Sequence, residues 1–139
     1  MRVLRQFGLA QGLLLIALLT LFSWTSEAMA YPSKSSRERG VSVNVRPVQL
    51  MPGQPAKFEV RLNTHSANLN QEMVAVSRLR DDQGRVYDPV SWQGAPPGGH
   101  HRMGVLEFPT LKGNPKKVSL IIWDIAKVPE RIFEWQMEL

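Results

Sequence analysis

The chain is 139 residues long, carries a formal net charge of +5 and contains no cysteine. Its length predicts one domain behind a short leader. The absence of cysteine excludes disulfide bridges, thiolate metal sites, a lipid anchor on cysteine and a cysteine nucleophile, so the fold has to be held by packing alone.

The first 30 residues have the pattern of a secretory signal peptide. Two arginines precede an apolar run over residues 13–22, and Ala28 and Ala30 then supply a small-residue cleavage site. We therefore expect export to the periplasm or the extracellular space, which excludes nucleic acid as a partner. The alternative is an uncleaved anchor over residues 7–26, and only that alternative implies contact with a membrane.

The predicted mature chain begins with a polar segment and continues as a β domain over residues 41–139. Residues 31–40 are rich in serine and mixed charge, which favours a flexible tether. Apolar and polar residues alternate in the two runs that follow, and this period of two is typical of half-buried strands. The residues predicted to face the core in these runs are Val41, Val43, Val45, Phe58, Val60 and Leu62.

Five further runs complete the predicted set of strands, at residues 72–80, 85–92, 101–108, 117–125 and 130–139. Pro89 lies inside the second of these runs and predicts an edge strand or a bulge there. A helical turn around residues 66–72 is the one predicted departure from strands. Seven short strands separated by turns predict an all-β fold, an antiparallel immunoglobulin-like β-sandwich.

The histidines are the main chemical feature of the sequence. His100 and His101 are adjacent and follow two prolines, Gly98 and Gly99, so a sharp bend precedes them. Neighbouring side chains of a strand point to opposite faces, so one of the two at most is expected to face a given site. His65 follows the second predicted strand, and we expect it to meet one of the pair where strands end at the rim of the sandwich.

Two interpretations of these histidines stay open. Two imidazoles with an added oxygen or thioether donor suit copper or zinc, which gives a metal site of His65 with His100 or His101. In the other interpretation the imidazoles only hydrogen-bond loop carbonyls. The same rim also predicts a ligand-contact surface, formed by Gly98, Gly99, Arg102 and Trp92.

No catalytic arrangement is predicted. The sequence has no G-x-S-x-G motif and no glycine-rich phosphate loop. Asp81 and Asp82 form a carboxylate pair, but they occupy a D-D-Q-G turn, where aspartate is common. The residues therefore favour a protein that binds over an enzyme.

Three segments of the chain resemble an uncharacterised family of bacterial exported or membrane-tethered β domains with a PPGGHHR-type motif. These segments are residues 64–69, THSANL, residues 79–108, which include the two histidines, and residues 128–135, VPERIFEW. The resemblance implies export and a β domain and carries no assigned activity. We therefore predict an exported, non-catalytic binding or accessory domain for a protein or another component of the cell envelope, with a periplasmic copper-type metal-binding protein as the alternative.

Overall fold

The computed structural model describes residues 30–138 of the chain. The predicted signal peptide and the alternative anchor over residues 7–26 lie outside the described residues, apart from Ala30. Residues 30–138 contain no helix that is long and apolar enough to cross a membrane. Nine strands cover this part of the chain: β1 (Lys34–Glu38), β2 (Val41–Gln49), β3 (Pro55–Thr64), β4 (Ser77–Asp81), β5 (Val86–Tyr87), β6 (Ser91–Gly94), β7 (His101–Thr110), β8 (Lys117–Ile125) and β9 (Val128–Gln136).

The strands form two antiparallel sheets, ordered β1-β2-β3-β7-β6 and β5-β4-β8-β9. The series β2-β3-β7-β6 has the order of the A, B, E and D strands of an immunoglobulin domain, and β4-β8-β9 has that of C, F and G. The predicted fold class is therefore confirmed. The count rises from about seven strands to nine because β1 and β5 add an edge strand to each sheet.

The core lies between the sheets and is built from the residues that the period of two placed inward. The three valines of β2 and the three apolar residues of β3 named above are all buried. Phe58 forms its centre: its ring lies 5.8 Å from that of Phe108 in an edge-to-face contact and 5.3 Å from that of Trp135. The contact with Phe108 lies within one sheet and the contact with Trp135 joins the two sheets. Such aromatic contacts contribute beyond the apolar area they bury.

The flexible tether predicted for residues 31–40 is wrong. Lys34–Glu38 pair with β2 as an edge strand, and the Pro32 carbonyl accepts a hydrogen bond of 2.7 Å from the indole of Trp135. The side chains of β1 are polar because an edge strand on the surface meets water, while its backbone is held by the ladder. Composition alone does not separate such a strand from a disordered segment.

Two further boundaries differ from the prediction. The run at 85–92 splits into β5 and β6, which belong to different sheets, and Pro89 lies in the crossing between them. Proline cannot donate to a ladder, so the chain leaves one sheet at this point. Residues 66 and 67 form a bend and residues 68–72 are irregular, so no helical turn occurs there. A turn comes later, at residues 73–76, where the amides of Ala75 and Val76 donate to the Glu72 carbonyl.

Candidate functional site

The structure brings His65 and His101 together. His101 begins β7 and pairs with Asn63 near the end of β3, and His65 follows two residues later. The two imidazole centroids lie 6.1 Å apart in an edge-to-face arrangement with an interplanar angle of 78°. The Nδ1 atom of His101 lies 2.8 Å from Oδ1 of Asn63. Both rings are exposed, so the pair forms part of the surface at one end of the sandwich.

His100 contributes to the backbone of this end. Its carbonyl accepts a 3.0 Å hydrogen bond from the amide of Thr64, and its side chain is exposed. The preceding corner is held in the same way, since Gly98 donates to the Leu69 carbonyl and the Leu69 amide donates to Gly99. Gly98 and Gly99 adopt φ values of 118° and 72°, which side chains with a Cβ rarely adopt. The two glycines are therefore explained by the bend itself.

The ligand-contact role predicted for Arg102 is wrong, because Arg102 lies inside the sandwich and is 3% exposed. Its guanidinium donates to the carbonyls of Leu69 (3.0 Å), Gln71 (2.8 Å) and Ala95 (3.2 Å). Desolvation by burial lowers the pKa of Arg102, and the nearby charge of Glu72 only partly opposes this. Arg102 therefore links the 69–71 loop to the end of β6, which is a structural role.

Trp92, the other predicted contact at this rim, is also part of the framework. Its indole Nε1 donates a 2.8 Å hydrogen bond to the Ala95 carbonyl, and its ring lies 5.7 Å from the Arg102 guanidinium. The ring covers Gly104 of β7 so closely that a Cβ there would come within 2.5 Å of it. Gly104 is thus required by close approach, and Trp92 closes the edge of the core.

The surface that offers ligand contacts is the outer side of β1, β2 and β3, which we call the arginine face. A shallow groove of about 550 Å³ runs across it. A second depression of about 360 Å³ continues from it towards His65. The groove is lined entirely by polar residues: Ser33, Ser35, Arg37, Ser42, Asn44, Arg46, Glu59, Arg61 and Asn63.

Positive charge dominates the arginine face. Glu59 accepts from Arg61 Nε at 3.0 Å and from Arg46 Nη2 at 3.3 Å. Burial by itself would raise the pKa of Glu59, but the two guanidinium groups outweigh it and hold the pKa below its ordinary value. Within residues 30–138, Arg37 makes no ion pair. The groove therefore holds one ionised carboxylate against three guanidinium groups.

The histidine pair offers too few ligating side chains to complete the coordination of a metal ion by itself. Residues 30–138 contain no cluster of three His, Cys, Asp or Glu side chains that could hold a metal ion. An amide oxygen accepts and cannot donate, so Asn63 Oδ1 favours the tautomer of His101 with its proton on Nδ1. The lone pair of Nε2 is then free, as in a metal-ligating histidine oriented by a second group.

Comparison with known proteins gives no further guide. No family model matches the chain, no curated protein is similar to it, and no solved structure matches it. The resemblance to an exported β-domain family therefore stays a prediction, and the arginine face and the histidine pair are the features of the molecule that bear on its function.

Proposed function

We propose that the protein is an exported, non-catalytic binding domain of the cell envelope, and that its ligand displays anionic groups. The observation that carries the proposal is the arginine face, a polar groove of about 550 Å³ with three arginines and one carboxylate. A guanidinium matches the geometry of a phosphate or carboxylate group with two parallel hydrogen bonds. Serine and asparagine side chains along the same groove supply neutral hydrogen-bond partners.

The arginines are arranged so that donors remain free. Glu59 uses one nitrogen of Arg61 and one of Arg46, and each guanidinium carries five N–H groups. The shared carboxylate holds the two side chains in place, which reduces the entropy that a ligand has to remove on binding. Arg37, from the edge strand, faces the same groove without a competing carboxylate.

Binding without turnover fits the chemistry of this surface. Its carboxylate, Glu59, has a pKa below the ordinary value because of its two arginine partners. A general base works best with a pKa near the working pH, so Glu59 is poorly suited to accept a proton from a substrate. The remaining groups of the groove are cations, amides and hydroxyls, which bind and orient a ligand.

Export is the second part of the proposal and is supported by the leader pattern of residues 1–30. Cleavage would release the domain into the periplasm or the medium, and an uncleaved segment over residues 7–26 would hold it at the membrane. Fractionation of cells that produce the full chain, with mass determination of the exported form, distinguishes these two cases. Recovery of the protein only from the cytoplasm would contradict export.

The ligand class is tested with soluble polymers that differ in charge. We expect the protein to bind polyphosphate or a polyuronate such as alginate in a biolayer assay, with affinity that falls as salt rises, and to ignore neutral dextran. The double variant Arg37→Ala, Arg61→Ala should weaken binding at least tenfold, because charged hydrogen bonds are lost. Lys116→Ala, which removes an exposed charge in the loop before β8, is the control and should bind like the wild type. Equal binding of dextran, or no loss in the double variant, would refute the anionic ligand.

The second candidate function is metal binding, and the edge-to-face pair of His65 and His101 favours it. The two rings would supply imidazole nitrogens to copper or zinc, with solvent or a third group completing the coordination. Metal content of the exported protein is expected to fall in His65→Ala and in His101→Ala. His100→Ala is the matched control and should keep its metal. Equal content in all four proteins would exclude the site.

A further inference from the structure

The outer side of the four-stranded sheet differs from the arginine face in having an apolar centre, and we call it the apolar face. Ile121 and Trp123 of β8 point outward and are half-buried. Ile132 of β9 lies opposite Ile121 in the ladder and is 46% exposed. These three side chains form a continuous apolar strip on an otherwise charged sheet, and a strip of this kind is typical of a surface that meets a partner.

Charges of opposite sign flank the apolar strip. Arg78 and Arg80 lie on β4, paired with Ile121 and Ser119 of β8. On the other side of β8, Glu134 of β9 is paired with Ser119 and Glu130 with Trp123. Seen across the strands, the face has a basic column on β4, a central column on β8 in which Ile121 and Trp123 follow Lys117 and Ser119, and a column on β9 in which Ile132 lies between Glu134 and Glu130.

We propose that two copies of this chain associate through their apolar faces, about a two-fold axis that lies in the interface and runs parallel to β8. Such an axis keeps the position along the strand and exchanges the two sides of β8. The β4 column of one copy then covers the β9 column of the other, with Arg78 over Ile132, and the two β8 columns cover each other. Arg80 comes to lie over Glu134 of the second copy because both residues share the row of Ser119.

The groups needed for this contact are free in the single chain. Glu134 uses Oε1 for Ser119 and for Lys117, which leaves Oε2 without a partner among the described residues. Arg80 makes no ion pair within residues 30–138. Arg78 forms an ion pair with Asp88, and its guanidinium covers the ring of Trp123 at 5.3 Å from the ring centre. Arg78 therefore contributes contact area to the interface more than it contributes an unpaired charge.

A second copy fits this face better than a strongly charged partner does. The side chains of Arg78, Arg80 and Lys117 are balanced by those of Asp88, Glu130 and Glu134, so the face has no net charge. A two-fold interface requires a self-complementary surface, and the three columns provide one.

Three strand spacings of about 4.8 Å make the face roughly 14 Å wide, which is small for a stable interface. The dimer is therefore expected to dissociate in the micromolar range.

This inference is independent of the proposed function, because the apolar face and the arginine face are on opposite sides of the sandwich. Sedimentation velocity of the exported protein over a concentration series is expected to show a monomer–dimer equilibrium. Ile121→Glu should weaken the dimer at least tenfold, since Ile121 of β8 lies at the two-fold axis and the substitution places two carboxylates opposite each other. Arg61→Glu, a charge reversal on the arginine face, is the matched control and should leave the equilibrium unchanged.

The charge pair gives the sharper test. Arg80→Glu alone should weaken the dimer because it places like charges together, and the double reversal Arg80→Glu, Glu134→Arg should restore it. Circular dichroism melts of each variant confirm that the monomer is folded. A wild type that stays monomeric up to about 1 mM overturns the proposal. Equal association of wild type, Ile121→Glu and Arg80→Glu overturns it as well.

Discussion

Arginine performs two different tasks in two regions of this molecule. In the interior, Arg131 and Arg102 are 2% and 3% exposed and donate to backbone carbonyls. On the arginine face, Arg37 and Arg61 are exposed and line an open groove. The interior arginines commit their terminal Nη donors to the protein, although the Nε of each has no partner among the described residues. The surface arginines keep donors for a ligand.

The interior region shows how a cation is kept in a core without an ion pair among the described residues. Arg131 of β9 donates to the carbonyls of Ser36 (3.3 Å), Glu38 (3.0 Å) and Val41 (3.1 Å). Burial lowers the pKa of Arg131, and the charge of Glu38 opposes this only in part. The hydrogen bonds offset the cost of desolvation, since a buried charge needs partners for its donors. Arg131 therefore joins the β1–β2 hairpin to the opposite sheet.

The largest effect is expected from Arg131→Met, which keeps the apolar stem and removes every donor. The carbonyls of the hairpin lose their partners inside the protein, and each buried unsatisfied group costs about 1–3 kcal/mol. We expect the free energy of unfolding to fall by about 3–5 kcal/mol, and the melting temperature by roughly 15 °C or more.

The matched control is Arg80→Met, because Arg80 is exposed and makes no ion pair within residues 30–138. It should melt within a few degrees of the wild type. Hydrogen exchange should report faster exchange of the β1 amides in Arg131→Met than in the control. Similar melting temperatures of the two variants would mean that the interior and surface arginines contribute equally to stability.

The fold was predictable because periodicity reports burial directly. Val41, Val43 and Val45 alternate with polar residues, and the alternation alone identifies both the strand and its inner face. The β1 strand was missed because its stability comes from backbone pairing and from Arg131, which is 93 residues or more away in sequence. Contacts at that distance leave no local pattern.

The candidate site was only partly predictable. The meeting of His65 and His101 follows from strand ends sharing a rim, which hairpin topology implies. The assignment of Arg102 to that rim was wrong, although the sequence carried a signal of its burial. Arg102 lies at an even spacing from Leu106 and Phe108, so its side chain points to the same inner face, opposite to that of His101. The arginine face was missed because one of its members, Arg37, belongs to the segment that composition placed in a tether.

Arg102→Lys tests whether the second interior arginine acts through its shape as well as its charge. A lysine ammonium has its three donors on one atom, whereas the guanidinium of Arg102 reaches Leu69 and Gln71 from Nη1 and Ala95 from Nη2 in a fixed fork. We expect a loss of about 3 kcal/mol in unfolding free energy, measured by urea denaturation. Equal free energies of unfolding for the lysine variant and the wild type would show that only the charge is needed at this position.

Asp81 extends the comparison to an interior acid. It is 5% exposed and accepts from Arg85 Nε at 2.7 Å and from the hydroxyl of Tyr87 at 3.1 Å. Burial alone would raise the pKa of Asp81, but these bonds and the amides of Gln83 and Arg85 hold the pKa below its ordinary value. A lowered pKa contributes stability above the ordinary value, and this stability is lost as the pH falls through the pKa of the folded protein.

Asp81→Asn is accordingly expected to cost about 2 kcal/mol at neutral pH, because its amide nitrogen cannot accept from Arg85 or Tyr87. The penalty should shrink in acid, where the wild type loses the same contribution. Urea denaturation at pH 7 and at pH 3 measures both values. Asp82→Asn, in the same turn but exposed, is the control. A penalty that is equal at the two pH values would contradict the assigned role of ionised Asp81.

The smallest effect on stability belongs to Arg37→Ala, and for this reason it separates the two regions most cleanly. Arg37 is exposed and has no ion pair in the described chain. Substitutions at positions of this kind change stability little, so the melting temperature should match that of the wild type. Binding of polyphosphate or alginate should nevertheless weaken severalfold, because a groove donor is removed. A variant that melts normally and binds normally would remove Arg37 from the site, whereas one that loses both would place it among the structural arginines.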